Sequence, residues 1–261
     1  MLWMKALLLG VVEGATEFLP VSSTGHLIVA ADWLNYPLDQ RATFEIFIQL
    51  GAILAVYWHY RRDLLSLAQR ATGDSAARAL VGKVFLAFLP AAAVGFLVHH
   101  WIEDHLFSVH AVALALIVGG VAIWLIESRR PPVQIERLEG VRWRDALWIG
   151  IAQVASLFPG VSRAAATIMG GLLCGLGRPT ATQFSFYLAL PTLTVASLYS
   201  LLKAAGHIGS GEAGNLAIGF ITAFVSALAV IRVFLRFVQT HDFKPFAYYR
   251  IAFGLLLLWI S

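Results

Sequence analysis

Four polar side chains near the start of the chain have types and spacings suited to chemistry. Glu13 and Glu17 are four residues apart, so both carboxylates share one face of a helix. Ser23 precedes His26 by three residues, and a hydroxyl beside an imidazole is the smallest nucleophile–base pair. A carboxylate at bilayer depth costs roughly 2.5–3.5 kcal/mol, so the paired acids predict a cation, a shared proton or an arginine nearby. The structural alternatives are an ion pair that only joins helices, capping serines, and a histidine satisfied by a carbonyl.

A second polar group, far along the chain, carries a positive charge. Arg163 lies four residues after Pro159, and Thr167 lies one turn beyond Arg163 on the same helical face. A guanidinium is a planar fork of donors suited to phosphate or carboxylate, and free amides at a helix N-terminus also bind anions. If the two groups meet, the set suits phosphoryl chemistry, in which a carboxylate or a bound metal manages protons and charge.

The composition is that of a membrane protein. Hydrophobic residues make up 59% of the 261 residues and charged residues only 13%, against roughly 25% in soluble domains. Mean hydropathy is +0.76, and the apolar runs reach about 20 residues, the length of a helix across the bilayer. The net charge of +4 follows from membrane topology and does not indicate a nucleic-acid partner. The single cysteine, Cys174, excludes an internal disulfide and a cysteine metal cluster.

Two apolar stretches, at about 1–36 and 141–174, are too long for one span and are interrupted in the middle. Pro20 and Pro159, each with polar neighbours, mark the interruptions. Proline removes a backbone donor and disfavours helix at the preceding residue, so each stretch predicts a helix, a break and a second helix. The six predicted ordinary spans cover about 42–60, 79–98, 108–127, 181–202, 215–236 and 246–260.

Basic residues orient the spans, because loops rich in lysine and arginine stay in the cytoplasm. Such loops follow the first, third and fifth spans, and the third of these clusters comprises Arg232, Arg236, Lys244 and Arg250. With these faces fixed, each broken stretch must leave the membrane by the face through which it entered. Irregular backbone at membrane depth is tolerated only against protein or a wet cavity. Two re-entrant hairpins are therefore predicted, the first entered from outside and the second from inside.

The chain also repeats itself weakly. Residues 10–18 (GVVEGATEF) align with residues 150–158 (GIAQVASLF), 140 positions later. After one gap, Pro20 aligns with Pro159 and Ser23 with Ser162.

Three spans, an odd number, separate the two copies, so the halves are predicted to be inverted relative to each other, as in many transporters. The predicted fold is one all-α integral membrane domain with six transmembrane helices and two re-entrant helical hairpins. In it, residues 1–130 and 141–261 form the two inverted-topology repeats.

Three segments carry a family resemblance. Residues 13–26 (EGATEFLPVSSTGH) resemble the first signature of the bacterial undecaprenyl pyrophosphate phosphatases of the BacA/UppP type. Residues 159–167 (PGVSRAAAT) resemble the second signature, and residues 44–56 (FEIFIQLGAILAV) resemble the family's first span. The likeness covers essentially the whole chain, and its first signature is long and specific.

The resemblance implies a multi-pass enzyme of the bacterial inner membrane whose active site opens towards the periplasm. Such an enzyme removes the terminal phosphate of undecaprenyl pyrophosphate and so returns the monophosphate carrier lipid to peptidoglycan and other envelope glycans. It also implies reduced bacitracin sensitivity, a fold of inverted repeats and a homodimer.

Carried over by position, the resemblance makes Glu13 and Glu17 the acid pair, Ser23 and His26 the candidate nucleophile and base, and Arg163 the phosphate clamp. Glu13 and Glu17 are also the candidate ligands of a divalent cation, magnesium or calcium. Serine, histidine and metal-bound water all remain open as the attacking group. The residues expected to surround the phosphate are Ser22, Thr24, Gly25, Ser162 and Thr167.

The second signature departs from the family pattern. The family usually has serine and glycine after the arginine, and this chain has Ala164 and Ala165. The chain therefore lacks one hydroxyl and one flexible position, which puts rate, metal preference and substrate range in doubt. Arg163 and Thr167 are kept, so activity is still expected.

Two other functions fit the sequence less well. Inverted broken helices with a site at the membrane middle are also the architecture of carriers, so a polyprenyl phosphate carrier or flippase is the alternative. An intramembrane acyl hydrolase would use Ser23 and His26. The arginine and the paired acids favour a phosphate substrate over an acyl group.

Overall fold

The computed structural model describes residues 2–106, 108–204 and 213–260, apart from the side chains at 38–40, 99–100, 103–105 and 204. Within these ranges the fold is all-helical and has no β-strand, which confirms the predicted class. The helices are α1 (Leu2–Thr16), α2 (Ser23–Trp33), α3 (Leu38–His59), α4 (Arg61–Arg70), α5 (Ser75–Leu106), α6 (Val109–Arg129), α7 (Trp143–Val154), α8 (Arg163–Leu173), α9 (Arg178–Ala204), α10 (Ala213–Thr240) and α11 (Lys244–Ile260).

Five helices within the described ranges are long and apolar enough to cross a membrane. They contain five of the six predicted spans. The sixth predicted span coincides with α11, whose 17 residues lie at the short end of the range for a crossing helix, about 17–25 residues. The five crossing segments are Arg41–His59, Ser75–Val98, Val109–Arg129, Arg178–Lys203 and Ala213–Thr240.

Both long apolar stretches are broken into two short helices. In the first stretch, α1 has 15 residues and α2 has 11; in the second, α7 has 12 and α8 has 11. A helix needs about 20 residues to cross the hydrocarbon, so none of the four crosses it alone. The first break runs from Glu17 to Ser22, and the second ends at Ser162.

The two broken stretches share one register without a gap. Ser22 caps α2 with φ 72°, and Ser162, 140 positions later, caps α8 with φ 70°. The positive φ angles of Asn35 and Gly175, which follow the same two helices, are also 140 positions apart. The gap expected from the prolines is therefore wrong. The structure pairs Ser22 with Ser162, and it pairs Ser23 with Arg163.

The packing of the helices also repeats with the spacing of 140 residues. The helix α1 packs along α10, and α7 packs along α5. Gly10 and Gly150, again 140 positions apart, allow these close approaches: a Cβ at Gly10 would collide with Thr222, and one at Gly150 would collide with the carbonyl of Ala87. The pairs α3–α9 and α6–α11 also pack together. Each half thus buries its broken stretch against a long helix of the other half.

Candidate active site

The two breaks meet at a buried ion pair. Arg163 begins α8 and Glu17 directly follows α1, and the guanidinium Nη2 lies 3.3 Å from Glu17 Oε1. Both side chains are only 7% exposed. A buried guanidinium without a partner would be costly, so the pairing joins the two segments as well as balancing their charge. The predicted approach of Arg163 to the acids is confirmed for Glu17.

Ser23 binds the other oxygen of the same carboxylate. Its hydroxyl donates a hydrogen bond to Glu17 Oε2 at 2.6 Å. Ser23 is the first residue of α2, so the Ser22 cap directs its side chain back towards the end of α1. Glu17 therefore holds a hydroxyl with one oxygen and a guanidinium with the other.

Glu13 lies one turn before Glu17 and is buried, with 2% exposure. Its Oε2 atom has no hydrogen-bond partner among the described residues. An unsatisfied buried carboxylate oxygen is costly, and a donor or a cation would relieve that cost. Across the described ranges, no cluster of three His, Cys, Asp or Glu side chains has the geometry of a metal site.

His26 does not contact Ser23 through either ring nitrogen. Its Nδ1 lies 2.7 Å from the carbonyl oxygen of Ser22, and its Nε2 lies 2.6 Å from the hydroxyl of Tyr249. The expected serine–histidine pair is therefore not formed, because both ring nitrogens bind other groups. A spacing of three residues makes the two side chains neighbours on α2, but each of them binds another group.

Arg163 is held on its other side by α9. Its Nη1 donates to the carbonyl and hydroxyl oxygens of Ser185, at 3.2 and 3.3 Å. The hydroxyls of Ser185 and Thr167 are 2.6 Å apart, and Thr167 also donates to the carbonyl of Arg163 at 2.9 Å. The guanidinium lies over the ring of Phe18, 5.6 Å from its centroid. Arg163 Nε has no partner among the described residues, so one donor is left for a ligand.

The two helix caps differ in one respect. The Ser162 hydroxyl accepts from the amide of Ala165 at 3.2 Å, whereas Ser22 makes no such side-chain bond. The first turn of α2, which contains Thr24 and Gly25, therefore has amides that its cap residue does not satisfy. Amides of this kind bind anions.

Arg250 is the main residue that sequence reasoning assigned wrongly. The sequence pattern predicts a charge near a cytoplasmic loop at this position. The structure instead buries Arg250 fully, and its guanidinium reaches both breaks. Its position six residues inside the apolar helix α11 was the available signal, since charges within apolar helices are costly and usually functional. Its guanidinium donates to five carbonyl oxygens at 2.9–3.4 Å, those of Pro20, Ala115, Leu116, Gly160 and Val161.

Residues 6–256 match the family described as Bacitracin resistance protein BacA. The chain belongs to this family. Several BacA relatives are similar over nearly their whole length. The undecaprenyl-diphosphatase of Dechloromonas aromatica is 49% identical over 257 residues, which are 98% of this chain and 94% of the relative. The undecaprenyl-diphosphatase of Methylobacillus flagellatus is 48% identical, over 99% of this chain and 97% of the relative. That of Thermoanaerobacter pseudethanolicus is 47% identical, over 98% and 96%.

Proposed function

We propose that the chain hydrolyses undecaprenyl pyrophosphate to undecaprenyl phosphate and inorganic phosphate. The relatives named as undecaprenyl-diphosphatases favour this reaction over the carrier alternative. The observation that carries it is the Glu17 carboxylate, which binds the Ser23 hydroxyl and the Arg163 guanidinium at once. The reaction returns the carrier lipid to peptidoglycan and other envelope glycans, and it lowers sensitivity to bacitracin.

The pyrophosphate binds between the two breaks. The free Nε–H of Arg163 and the uncapped amides of α2 are donors from opposite sides. Donors fixed before the substrate arrives stabilise charge that develops on phosphate oxygens, without reorganisation during the reaction. Ser22, Thr24 and Gly25 supply the first turn of α2, while Ser162 and Thr167 hold the backbone and side chain of Arg163 in place.

Ser23 is the proposed nucleophile and Glu17 its base. The Ser23 oxygen attacks the terminal phosphorus, and its proton passes to Glu17 Oε2, which already accepts that hydrogen bond. The bond from phosphorus to the bridging oxygen breaks, and undecaprenyl phosphate leaves. Glu17 first passes its proton to the departing bridging oxygen of undecaprenyl phosphate; it then accepts a proton from the water that attacks the phosphoserine and donates this proton to the Ser23 oxygen as phosphate is released. His26 supports the loop through the Ser22 carbonyl.

A divalent cation, magnesium or calcium, fits the acid pair in part. The unpartnered Glu13 Oε2 is a free hard ligand, whereas both oxygens of Glu17 are already engaged. Glu13, with Glu17 as the second carboxylate, would hold the ion. When bound, the ion would neutralise charge on the pyrophosphate. The proton transfers described above depend only on Glu17 and Ser23.

The proposed membrane arrangement has six transmembrane helices and two re-entrant hairpins in the bacterial inner membrane. Support comes from the short helices of both stretches and from the common spacing of 140 residues. Residues 1–130 and 141–261 are then inverted repeats, and the active site faces the periplasm through the first hairpin. The proposed assembly is a homodimer, which the molar mass of the purified protein in detergent would test.

Orientation is testable by cysteine labelling. In a Cys174→Ser chain, Asp32→Cys and Arg130→Cys place single thiols at the two predicted faces. An impermeant maleimide added to intact cells should label the first and spare the second. The reverse pattern would place the first hairpin on the cytoplasmic side.

Phosphate release from farnesyl pyrophosphate by the purified protein in detergent tests the reaction. Glu17→Gln and Ser23→Ala should each lower the rate by about 10²–10³-fold, since base and nucleophile act as one unit. Glu136→Gln and Ser156→Ala are matched controls, because Glu136 is an exposed loop carboxylate and Ser156 donates to the carbonyl of Gln153. Both controls should keep the parent rate. A parent that releases nothing with magnesium or calcium present would favour the carrier.

A further inference from the structure

The helix α11 contributes to the first broken stretch a side-chain contact that no local sequence pattern predicts. The Tyr249 hydroxyl lies 2.6 Å from His26 Nε2, although the two residues are 223 positions apart. Tyr249 directly precedes Arg250, whose guanidinium binds backbone carbonyls of both breaks. Two consecutive residues of α11 therefore contact the first broken stretch.

The bonds of His26 define the protons on its ring. A carbonyl oxygen can only accept, so the 2.7 Å contact with the Ser22 carbonyl requires a proton on Nδ1. In the neutral ring, Nε2 then carries the lone pair and accepts the Tyr249 hydroxyl. Tyr249 thus selects one tautomer and fixes the direction of the ring.

Stacking fixes the plane of the same ring. The His26 and Phe253 rings are stacked at 22°, with centroids 4.5 Å apart. The Tyr249 ring lies nearly parallel to His26, at 4° and 5.6 Å. Two hydrogen bonds and two stacked rings thus fix the position of the His26 imidazole. The fixed ring in turn holds the Ser22 carbonyl through Nδ1.

We infer that Tyr249 is a positioning residue for hydrolysis, an inference that rests on the proposed function. Tyr249 holds His26, His26 holds the Ser22 carbonyl, and Ser22 is the cap from which Ser23 extends towards Glu17. A nucleophile displaced by a fraction of an ångström loses its alignment with phosphorus. Tyr249 acts through this chain of contacts and need not touch the substrate.

The neighbouring tyrosine provides a matched control. Tyr248 lies on the same helix and also makes one hydrogen bond, which it accepts from Trp124 Nε1 at 3.3 Å. That bond lies away from both breaks. Tyr249→Phe and Tyr248→Phe therefore remove the same atom from the same helix, but only the first should disturb His26.

The experiment compares steady-state hydrolysis of farnesyl pyrophosphate by the full chain in detergent. Tyr249→Phe should lower kcat about tenfold and leave KM within about twofold, because the loss is one of alignment. Tyr248→Phe should match the parent. In a His26→Ala background, Tyr249→Phe should change the residual rate by less than about twofold, since its effect passes through His26.

A second measurement reads the contact without using activity. Nitrogen NMR of labelled histidine, with His26 assigned by its loss in His26→Asn, should show an Nε2 signal that moves in Tyr249→Phe and stays in Tyr248→Phe. An active parent with an unaffected Tyr249→Phe, or an equal loss in the His26→Ala background, would overturn the positioning role. An inactive parent would refute the proposed function itself, and the positioning role would fall with it.

Discussion

The two breaks end in the same backbone conformation and carry different side chains. Ser22 and Ser162 take the same left-handed conformation, and each is followed by a helix of 11 residues. The first stretch carries acids and hydroxyls, whereas at the matching positions of the second stretch Gln153 replaces Glu13 and Arg163 replaces Ser23. The repeated backbone thus brings two equivalent helix starts together, and the divergence of side chains makes one chemical site from them.

Arg163→Ala is expected to have the largest effect. It removes the guanidinium that pairs with the Glu17 carboxylate, so hydrolysis should fall by about 10³-fold or more. The unpaired Glu17 should also cost about 3 kcal/mol of stability. Phosphate release and thermal unfolding in detergent measure the two losses.

A double variant separates charge balance from chemistry. Glu17→Gln with Arg163→Gln should recover much of the stability and none of the activity. Arg142→Ala, which removes an exposed arginine paired with Asp145, is the control and should keep the parent rate. Recovered activity in the double variant would contradict the assigned roles.

Arg250→Met tests whether one residue maintains both breaks. Several buried carbonyls would lose their donor at about 1–3 kcal/mol each, so unfolding free energy should fall by about 3 kcal/mol or more. Thermal unfolding in detergent is the measurement, and activity should fall in parallel. Arg232→Met, an exposed change on α10, should alter stability by less than about 0.5 kcal/mol. Equal effects of the two changes would show that the five carbonyl contacts contribute little.

Replacing each cap serine by alanine tests the difference between the helix starts. Ser162→Ala removes a hydroxyl that accepts from the Ala165 amide, so stability should fall by about 1 kcal/mol. Ser22→Ala removes no such bond and should cost less than about 0.5 kcal/mol. Chemical unfolding of the two variants side by side is the measurement. Equal losses would mean that the α2 amides rely on Ser22 after all, and the anion site would lose its support.

The smallest effect is expected from restoring the family pattern. Ala164→Ser with Ala165→Gly should change the rate by less than about threefold, because no side chain there contacts the ion pair, and should cost about 1 kcal/mol for the helical glycine. Phosphate release by the two proteins in parallel checks this. A change above about tenfold would assign a direct part in the reaction to positions 164 and 165 as well.

The sequence predicted the breaks and the approach of Arg163 to Glu17 for one physical reason. Charged and irregular segments are costly in hydrocarbon, so an acid pair and an arginine inside apolar stretches must find each other. This cost is a property of composition and spacing. It can be recognised without knowledge of the intervening helices.

The alignment register between the two broken stretches could not be predicted from residue identities. The letters favour an alignment of Pro20 with Pro159, because both prolines interrupt an apolar stretch. The backbone conformations instead match at Ser22 and Ser162, which both have a positive φ. Serine rarely takes that conformation, so no propensity rule indicates it. One inserted gap then hid the equivalence of Ser23 and Arg163.

Long-range partners were the other part that sequence could not give. His26 has a serine three residues away, yet it binds Tyr249 from the last helix. The position of Arg250 next to a basic cluster predicts a loop charge that orients the spans. A buried charge that holds the backbone is the other explanation, and only the packing of the helix decides between the two. Contacts of this kind depend on how α11 lies against α6.

The carbonyl contacts of Arg250 place a condition on biosynthesis. Among the described helices, α11 is the last in chain order, and before the ribosome has made it, Pro20 and Gly160 lack their shared donor. The link that Arg250 makes between the two breaks therefore forms only after translation of α11. A nascent chain stalled before residue 244 therefore leaves the carbonyls of both breaks without this donor.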